Sequence, residues 1–298
     1  MNGVLEAVGG KIAGGRSLSF EDVEALVGVT DLVRLGMLAD EARRRRHGAQ
    51  ATYVRVADVT CGEATTATWP SAAGEIRLSG APASIDAAID EACALARRAN
   101  GTPVSAFSLA DLERLAGDAK ALRHVADRLE ECGVSAIAEA PLDDLRDREG
   151  SLQAIRDAGM PIARATVRHG RTTADVLPLL RDVKTLQKHT GIIRVFAPLP
   201  REIDAQQAST GYDDVRVVAL ARLWLDNVES IQVDWALYGP KLAQVALLFG
   251  VDDIDSVSPL DQVEQGRRRA PLEEIRRNIT AAGLSPVERN GRWAVVQA

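Results

Sequence analysis

Residues 230–257, SIQVDWALYGPKLAQVALLFGVDDIDSV, decide the fold. A β-branched run (SIQVDWAL) leads into an amphipathic stretch (PKLAQVALLFG) that stops at Gly250, and a second short strand pattern follows at VDDIDSV. Two strands separated by a helix-length crossover must lie parallel, because a hairpin cannot join them. Within the helical part Leu242, Val245, Ala246 and Leu247 recur at helical spacing, so much of it is core.

The same alternation extends back along the chain. Strand patterns occur at TYVRVADVT (52–60), PVSAF (103–107), VSAIA (134–138), PIARATV (161–167) and IIRVFAPL (192–199). Between them lie helical segments such as IDAAIDEACALARRAN, DAKALRHVADRLEECG and DDVRVVALARLWLDNV, several ending in Gly or Asn. Units of roughly 25 to 35 residues without a linker predict one (β/α) barrel with about six to seven recognisable strands, residues 51–298. Residues 1–50 read instead as a helical extension of the same single domain. Ser19 caps FEDVEALV, Asp31 caps LVRLGMLADEARRRRHG, and Arg43 to Arg46 read as a solvated helix end where cations suit the dipole. Near the C-terminus Asn290-Gly291 signals a two-residue hairpin.

Composition excludes several function classes. Lys+Arg 36 against Asp+Glu 42 gives a net charge of −6, which does not recruit nucleic acid. The opening MNGVLEAVGGKIAGG has no apolar core followed by a cleavage site, and no apolar run approaches the ~20 residues of a membrane span. The expectation is a cytoplasmic protein. The three cysteines, Cys61, Cys93 and Cys132, form no CxxC pair, and the latter two sit among Ala and Leu as packing residues. The four histidines form no HxH or HxxxH pair, and no GxGxxG, Walker A, GxSxG or HExxH motif is present.

The segments RSLSFEDVEALV, LGMLADEARRRRHG, HTGIIRVFAPLP, DDVRVVALARLWLDNV and WALYGPKLAQVALLFGVDDID resemble the radical SAM enzymes of menaquinone and deazaflavin biosynthesis. Aminofutalosine synthase, dehypoxanthine futalosine cyclase and FO synthase are the relatives meant. The resemblance implies a radical SAM/TIM-type barrel and a CxxxCxxC loop whose three thiolates hold a [4Fe–4S] cluster that binds S-adenosylmethionine. Here the loop reads CGEATTAT, with Cys61 as the one remnant and Thr65 and Thr68 at the other two places. A threonine hydroxyl is a poor iron ligand, so neither cluster nor S-adenosylmethionine is expected, and no other metal. Where the family has a glycine-rich turn, this chain has Glu139, Ala140 and Pro141. The family's second strand and its GGxHP-like turn find no counterpart between LARRAN and GTPVSAF.

In such barrels function sits just after the strands. Arg168, His169 and Arg171 follow PIARATV and would suit a carboxylate or phosphate, with His169 able to exchange protons near neutral pH. Glu139 and Asp143 follow another strand and are the acids expected to face them; His169, Glu139 and Asp143 are therefore the candidate catalytic groups. Asp234, Trp235 and Tyr238 complete the candidate ligand set, with one of Asp234 and Trp235 facing the lumen. The bland alternatives are surface ion pairs for the arginines and core packing for Trp235, Tyr238 and Cys61. The reading that follows is a cluster-free, pseudoenzyme-like relative in the futalosine route, binding a small anionic or nucleoside-like ligand or serving as a partner. That partner would be a second copy or an intact radical SAM paralogue. The alternative is a non-radical hydrolase, lyase or isomerase acting on a futalosine-like nucleoside or aryl carboxylate.

Overall fold

The computed structural model describes residues 2–168, 173–200, 211–263 and 269–296. The chain starts with α1 (Asn2–Ala13), α2 (Phe20–Val27) and α3 (Leu32–His47), and continues with β1 (Gln50–Thr60), β2 (Glu75–Ser79), α4 (Ile85–Arg98) and β3 (Val104–Ser108). Then come α5 (Leu109–Ala116), α6 (Ala119–Glu131), β4 (Ala136–Pro141), α7 (Arg148–Asp157), β5 (Ala165–Arg168), α8 (Thr173–Thr190) and β6 (Val195–Leu199). The last third holds α9 (Tyr212–Trp224), β7 (Ser230–Asp234), α10 (Trp235–Leu247), β8 (Asp253–Val257), α11 (Pro271–Ala281) and β9 (Ser285–Arg289).

All neighbouring strands run parallel, and pairing of β1 with both β2 and β8 closes β1 to β8 into a barrel. Eight strands close it where about six to seven were read from the sequence. The one missed is β2: its Glu75 and Arg77 are almost fully buried and paired to each other, so a central strand carries charges that hide it from a hydropathy pattern. It stands before α4, upstream of the LARRAN–GTPVSAF interval in which no second strand was found. No helix separates β1 from β2; residues 61–74 are turns and irregular chain.

β9 lies alongside residues 50–54 of β1, on the edge whose upper part, residues 56–60, is taken by β2. The expected two-residue hairpin at Asn290-Gly291 is a wider turn instead: Asn290 N–H donates to Ala294 O at 2.9 Å, and Arg289 bridges Val295. Gly291 is tight against β2, where a Cβ would stand 3.0 Å from Glu75 Cγ.

The N-terminal helices form as their caps dictate. The Ser19 hydroxyl accepts from Asp22 N–H while the Asp22 carboxylate accepts from Ser19 N–H, a complete capping box. Leu26, Val23 and Leu35 are fully buried, and α3 packs on α9. The arginine run is a solvated end only in part: Arg44, Arg45 and Arg46 are exposed, and Arg43 is not. Arg43 is fully buried, with Nη1 donating to Gly48 O and Gln50 O at 3.2 Å each, and Arg46 Nη2 reaches Asp226 O at 2.6 Å. These side chains satisfy backbone carbonyls at the seam between extension and barrel. Cys93 of α4 and Cys132 at the end of α6 are more than packing residues: a disulfide joins them, their Cα atoms 5.1 Å apart. No described helix is long and apolar enough to cross a membrane.

Candidate functional site

The C-terminal ends of the strands enclose a recess of about 330 Å³, lined by Asp58 of β1, Arg77 and Ser79 of β2, Phe107 and Ser108 of β3, Glu139 of β4, Arg164, Asp234 and Ser256. Parallel strands aim alternate side chains into the lumen, so each of these residues is placed by its register. Asp58 is opposite Arg77 across β1–β2, and Asp234 is opposite Asp255 across β7–β8. Two carboxylates so paired repel unless a cation separates them. Arg164 does so, its Nη1 at 2.8 Å from Asp234 Oδ2 and 2.8 Å from Asp255 Oδ2.

Arg77 completes the network from the other side. It donates to Asp255 Oδ1 at 3.0 Å, to Glu75 Oε1 at 2.9 Å and to Ser256 Oγ at 3.2 Å. Burial opposes the charge on Arg77, but Asp255 and Glu75 outweigh it and hold the guanidinium well above its ordinary value. Burial likewise would raise Asp255; Arg77 and Arg164 reverse this and keep its carboxyl below the usual carboxylate range. Both arginines are therefore permanent cations tied to buried acids, and Arg164 retains one buried donor, Nε, with no acceptor.

Asp58 differs from these. It is exposed to the recess and has no hydrogen-bond partner among the described residues. Desolvation at the mouth lifts its pKa above the ordinary value, Arg77 pulls it down, and Asp255 and Asp234 push it up again. A carboxyl poised in this way can hold or release a proton at its Oδ atoms. Glu139 accepts from Thr166 Oγ1 at 2.6 Å and lies 3.4 Å from Arg164 Nη2. Two further features mark the rim: Phe107 (φ 60°) and Ser256 (φ 57°) are non-glycine residues in the left-handed region, strain of a kind that gathers at functional sites.

Of the residues singled out from the sequence, Glu139 and Asp234 enter this recess. Asp234 is the lumen-facing member of its pair, and its Oδ1 also caps α10 by accepting from Ala236 and Leu237 N–H. Trp235 is buried and lines a neighbouring cleft of about 260 Å³ between α10 and α11. Tyr238 is buried, with its hydroxyl donating to Pro198 O at 3.0 Å and its pKa raised well above normal by burial; it serves packing. Asp143 is committed to the backbone, accepting from Arg168 N–H at 2.9 Å, and Arg168 itself is exposed at the end of β5. His169 and Arg171 lie outside the described residues. Asp58, Arg77, Arg164 and Ser256 were not found from the sequence; charged residues inside apolar strand runs were the available signal.

The loop after β1 is held by α4. Glu91 Oε2 accepts from Gly62 N–H at 2.5 Å, Arg98 donates to Ala64 O at 2.5 Å and Ala67 O at 2.6 Å, and its guanidinium lies over the Trp69 ring. Cys61 donates its thiol to Gly80 O at 3.3 Å, and burial followed by Glu91 raises its pKa.

The architecture is that of a radical SAM-type βα barrel. Methylornithine synthase (PylB) superimposes with a TM-score of 0.68 at 14% identity, over 94% of this chain and 97% of that one. The hydrogenase maturase HydG from Carboxydothermus hydrogenoformans gives 0.66 at 13% identity, over 95% and 79%. At that identity the likeness is one of fold. Residues 198–298 match the CofH/MqnC C-terminal region. The chain is 28% identical to aminodeoxyfutalosine synthase of Thermus thermophilus, over 96% of this chain and 94% of that enzyme. It is 30% identical to cyclic dehypoxanthine futalosine synthase of Streptomyces coelicolor, over 40% of this chain and 32% of that enzyme's length. Along almost its whole length the chain is thus similar to an aminodeoxyfutalosine synthase, and its last third to the CofH/MqnC C-terminal region.

The cluster of that class takes three thiolates from the loop after the first strand. Cys61 is the single cysteine there; Thr65 and Thr68 are exposed hydroxyls, and Cys93 and Cys132 are joined to each other. One thiol and two hydroxyls do not fit the cluster.

Proposed function

We propose that this chain is a cluster-free relative of the futalosine-route enzymes, a protein that binds a small ligand in its barrel mouth and acts as a non-radical partner of that pathway. The observation that carries the reading is the Cys61–Trp69 loop, where a single thiol remains and Glu91 and Arg98 satisfy the backbone that a cluster-binding loop would wrap around its metal. Retention of a shaped recess beside that loop supports binding over mere structural persistence. The experiment is anaerobic reconstitution with iron and sulfide, followed by metal analysis and visible and electron paramagnetic resonance spectra. The expected result is iron and sulfide well below cluster stoichiometry and no cluster signal after reduction. About four irons per chain with a cluster spectrum, lost on Cys61→Ser, would overturn it.

A second reading is favoured by Asp58. Its raised carboxyl pKa, with Glu139 in the same recess, supplies the pair of groups that proton-transfer chemistry requires, and suits a hydrolase, lyase or isomerase acting on a futalosine-like nucleoside. Turnover of such nucleosides without S-adenosylmethionine, abolished by Asp58→Asn, would establish it. Binding without turnover leaves the partner role.

A further inference from the structure

A second recess, of about 290 Å³, lies outside the barrel between the turn after α1, the end of α3 and the end of α9. Four guanidiniums line it: Arg16, Arg45, Arg46 and Arg222. The carboxylates near them are already committed. Glu41 pairs with Arg45 at 3.2 Å, Asp252 pairs with Arg222, and Asp226 pairs with Lys184 at 2.8 Å. Arg46 donates to the carbonyls of Val228 and Asp226. Among the described residues Arg16 has no side-chain hydrogen bond or ion pair, and Arg46 has no carboxylate within ion-pair distance, although the Asp226 carboxylate, which lines the same recess, acts on it through space. Arg222 adds an independent sign. Its side chain is 2% exposed, yet Nη1 is buried with no acceptor. Burial, with Arg46 and Arg43 close by, lowers its pKa to about 10 despite Asp252. Guanidiniums outnumber carboxylates in the lining, and a buried donor of Arg222 goes unmet.

We propose that this recess binds a doubly charged oxyanion of the phosphate class, held by Arg16 and Arg46 with Arg45 and Arg222 behind them. Four guanidiniums against the one lining carboxylate, Asp226, leave a positive surplus that suits an oxyanion, and guanidinium forks match the terminal oxygens of a phosphoryl group. The cavity leaves room for a small organic part beyond the phosphoryl, while the net charge of −6 disfavours a nucleic acid. The site joins the helical extension to the barrel and is separate from the mouth, so it stands or falls independently of the ligand proposed there.

The test is calorimetric titration of the full chain with inorganic phosphate and with pyrophosphate in low-salt buffer, alongside Arg16→Ala and Arg16→Glu. Arg16 is exposed and its side chain holds nothing in place, so both variants should melt as the parent does without phosphate. The parent should bind one phosphate or pyrophosphate saturably, Arg16→Ala about tenfold more weakly, and Arg16→Glu not measurably. Arg46→Lys, which keeps the charge but loses the fork, should also weaken binding severalfold. No saturable binding by the parent, or equal affinity in parent and Arg16 variants, would overturn the proposal.

Discussion

Replacing Asp255 by Asn tests whether the lumen network is a stabilising unit. Asp255 is 1% exposed and accepts from Arg164 Nη1 at 2.8 Å and from Arg77 Nη2 at 3.0 Å, so the change weakens two charge-assisted bonds and leaves surplus positive charge in the barrel centre. Breaking a buried ion pair from one side costs about 3–5 kcal/mol. Arg77 keeps Glu75 and Arg164 keeps Asp234, which argues for the lower end, ~3 kcal/mol. With an unfolding entropy of roughly 2 cal/mol/K per residue, a chain of 298 residues should then lose about 5 °C in Tm. Circular dichroism melts at neutral pH measure this directly. The sign of the pH dependence is also fixed. Because the folded carboxyl titrates below its unfolded counterpart, its stabilisation is complete above about pH 4 and fades as the pH falls towards the folded value. The gap between parent and Asp255→Asn should therefore narrow on acidification below about pH 4. A Tm within about 1 °C of the parent, or a gap that widens in acid, would refute the assignment of Asp255 as the hub.

Reduction of the Cys93–Cys132 disulfide opens a loop with a sequence separation of 39, worth about 4 kcal/mol by chain entropy, so a reductant should lower Tm by about 6 °C in the parent and not in Cys93→Ser. Gly36→Ala puts a Cβ 3.0 Å from the Phe249 ring and should cost about 1–3 kcal/mol in urea unfolding, partly recovered by Phe249→Leu. Tyr238→Phe removes the bond to Pro198 O and should lower stability by about 1 kcal/mol while leaving ligand affinity at the mouth unchanged; an altered affinity would return Tyr238 to the site.

The elements legible in the sequence were those with local rules. Ser19 and Asp31 announce helix starts because a cap is read within four residues, and the strand after Asn227 is visible because Ile231 and Val233 are β-branched. β2 was hidden because burial there is ionic: Glu75 is satisfied by Arg77 and by Ser105 from the adjacent strand, and hydropathy assigns both charges to a surface. The same logic concealed Arg43. At the mouth, Glu139 and Asp234 could be found as acids following strands. Arg77 could not be matched with Asp255, 178 residues away, because a register across a closed barrel leaves no trace in local spacing. Cys93 and Cys132 illustrate the same limit: each looks like helix packing until α4 and α6 are placed side by side.

The arrangement of β1 imposes an order on assembly. Its upper half can pair with β2 after only a short loop, but its lower half waits on both edges for β8 and β9, partners that lie over 200 residues downstream, as the Tyr53–Glu288 contact shows. During synthesis, that half of the first strand leaves the ribosome with its N–H and C=O groups open to strangers, and it stays so until almost the whole chain has been made. Closing such long loops is slow, which prolongs that exposure. It also makes the final strand the latch of the barrel: a chain interrupted before Ser285 would carry every mouth residue named above and still present an unpaired sheet edge, inviting aggregation.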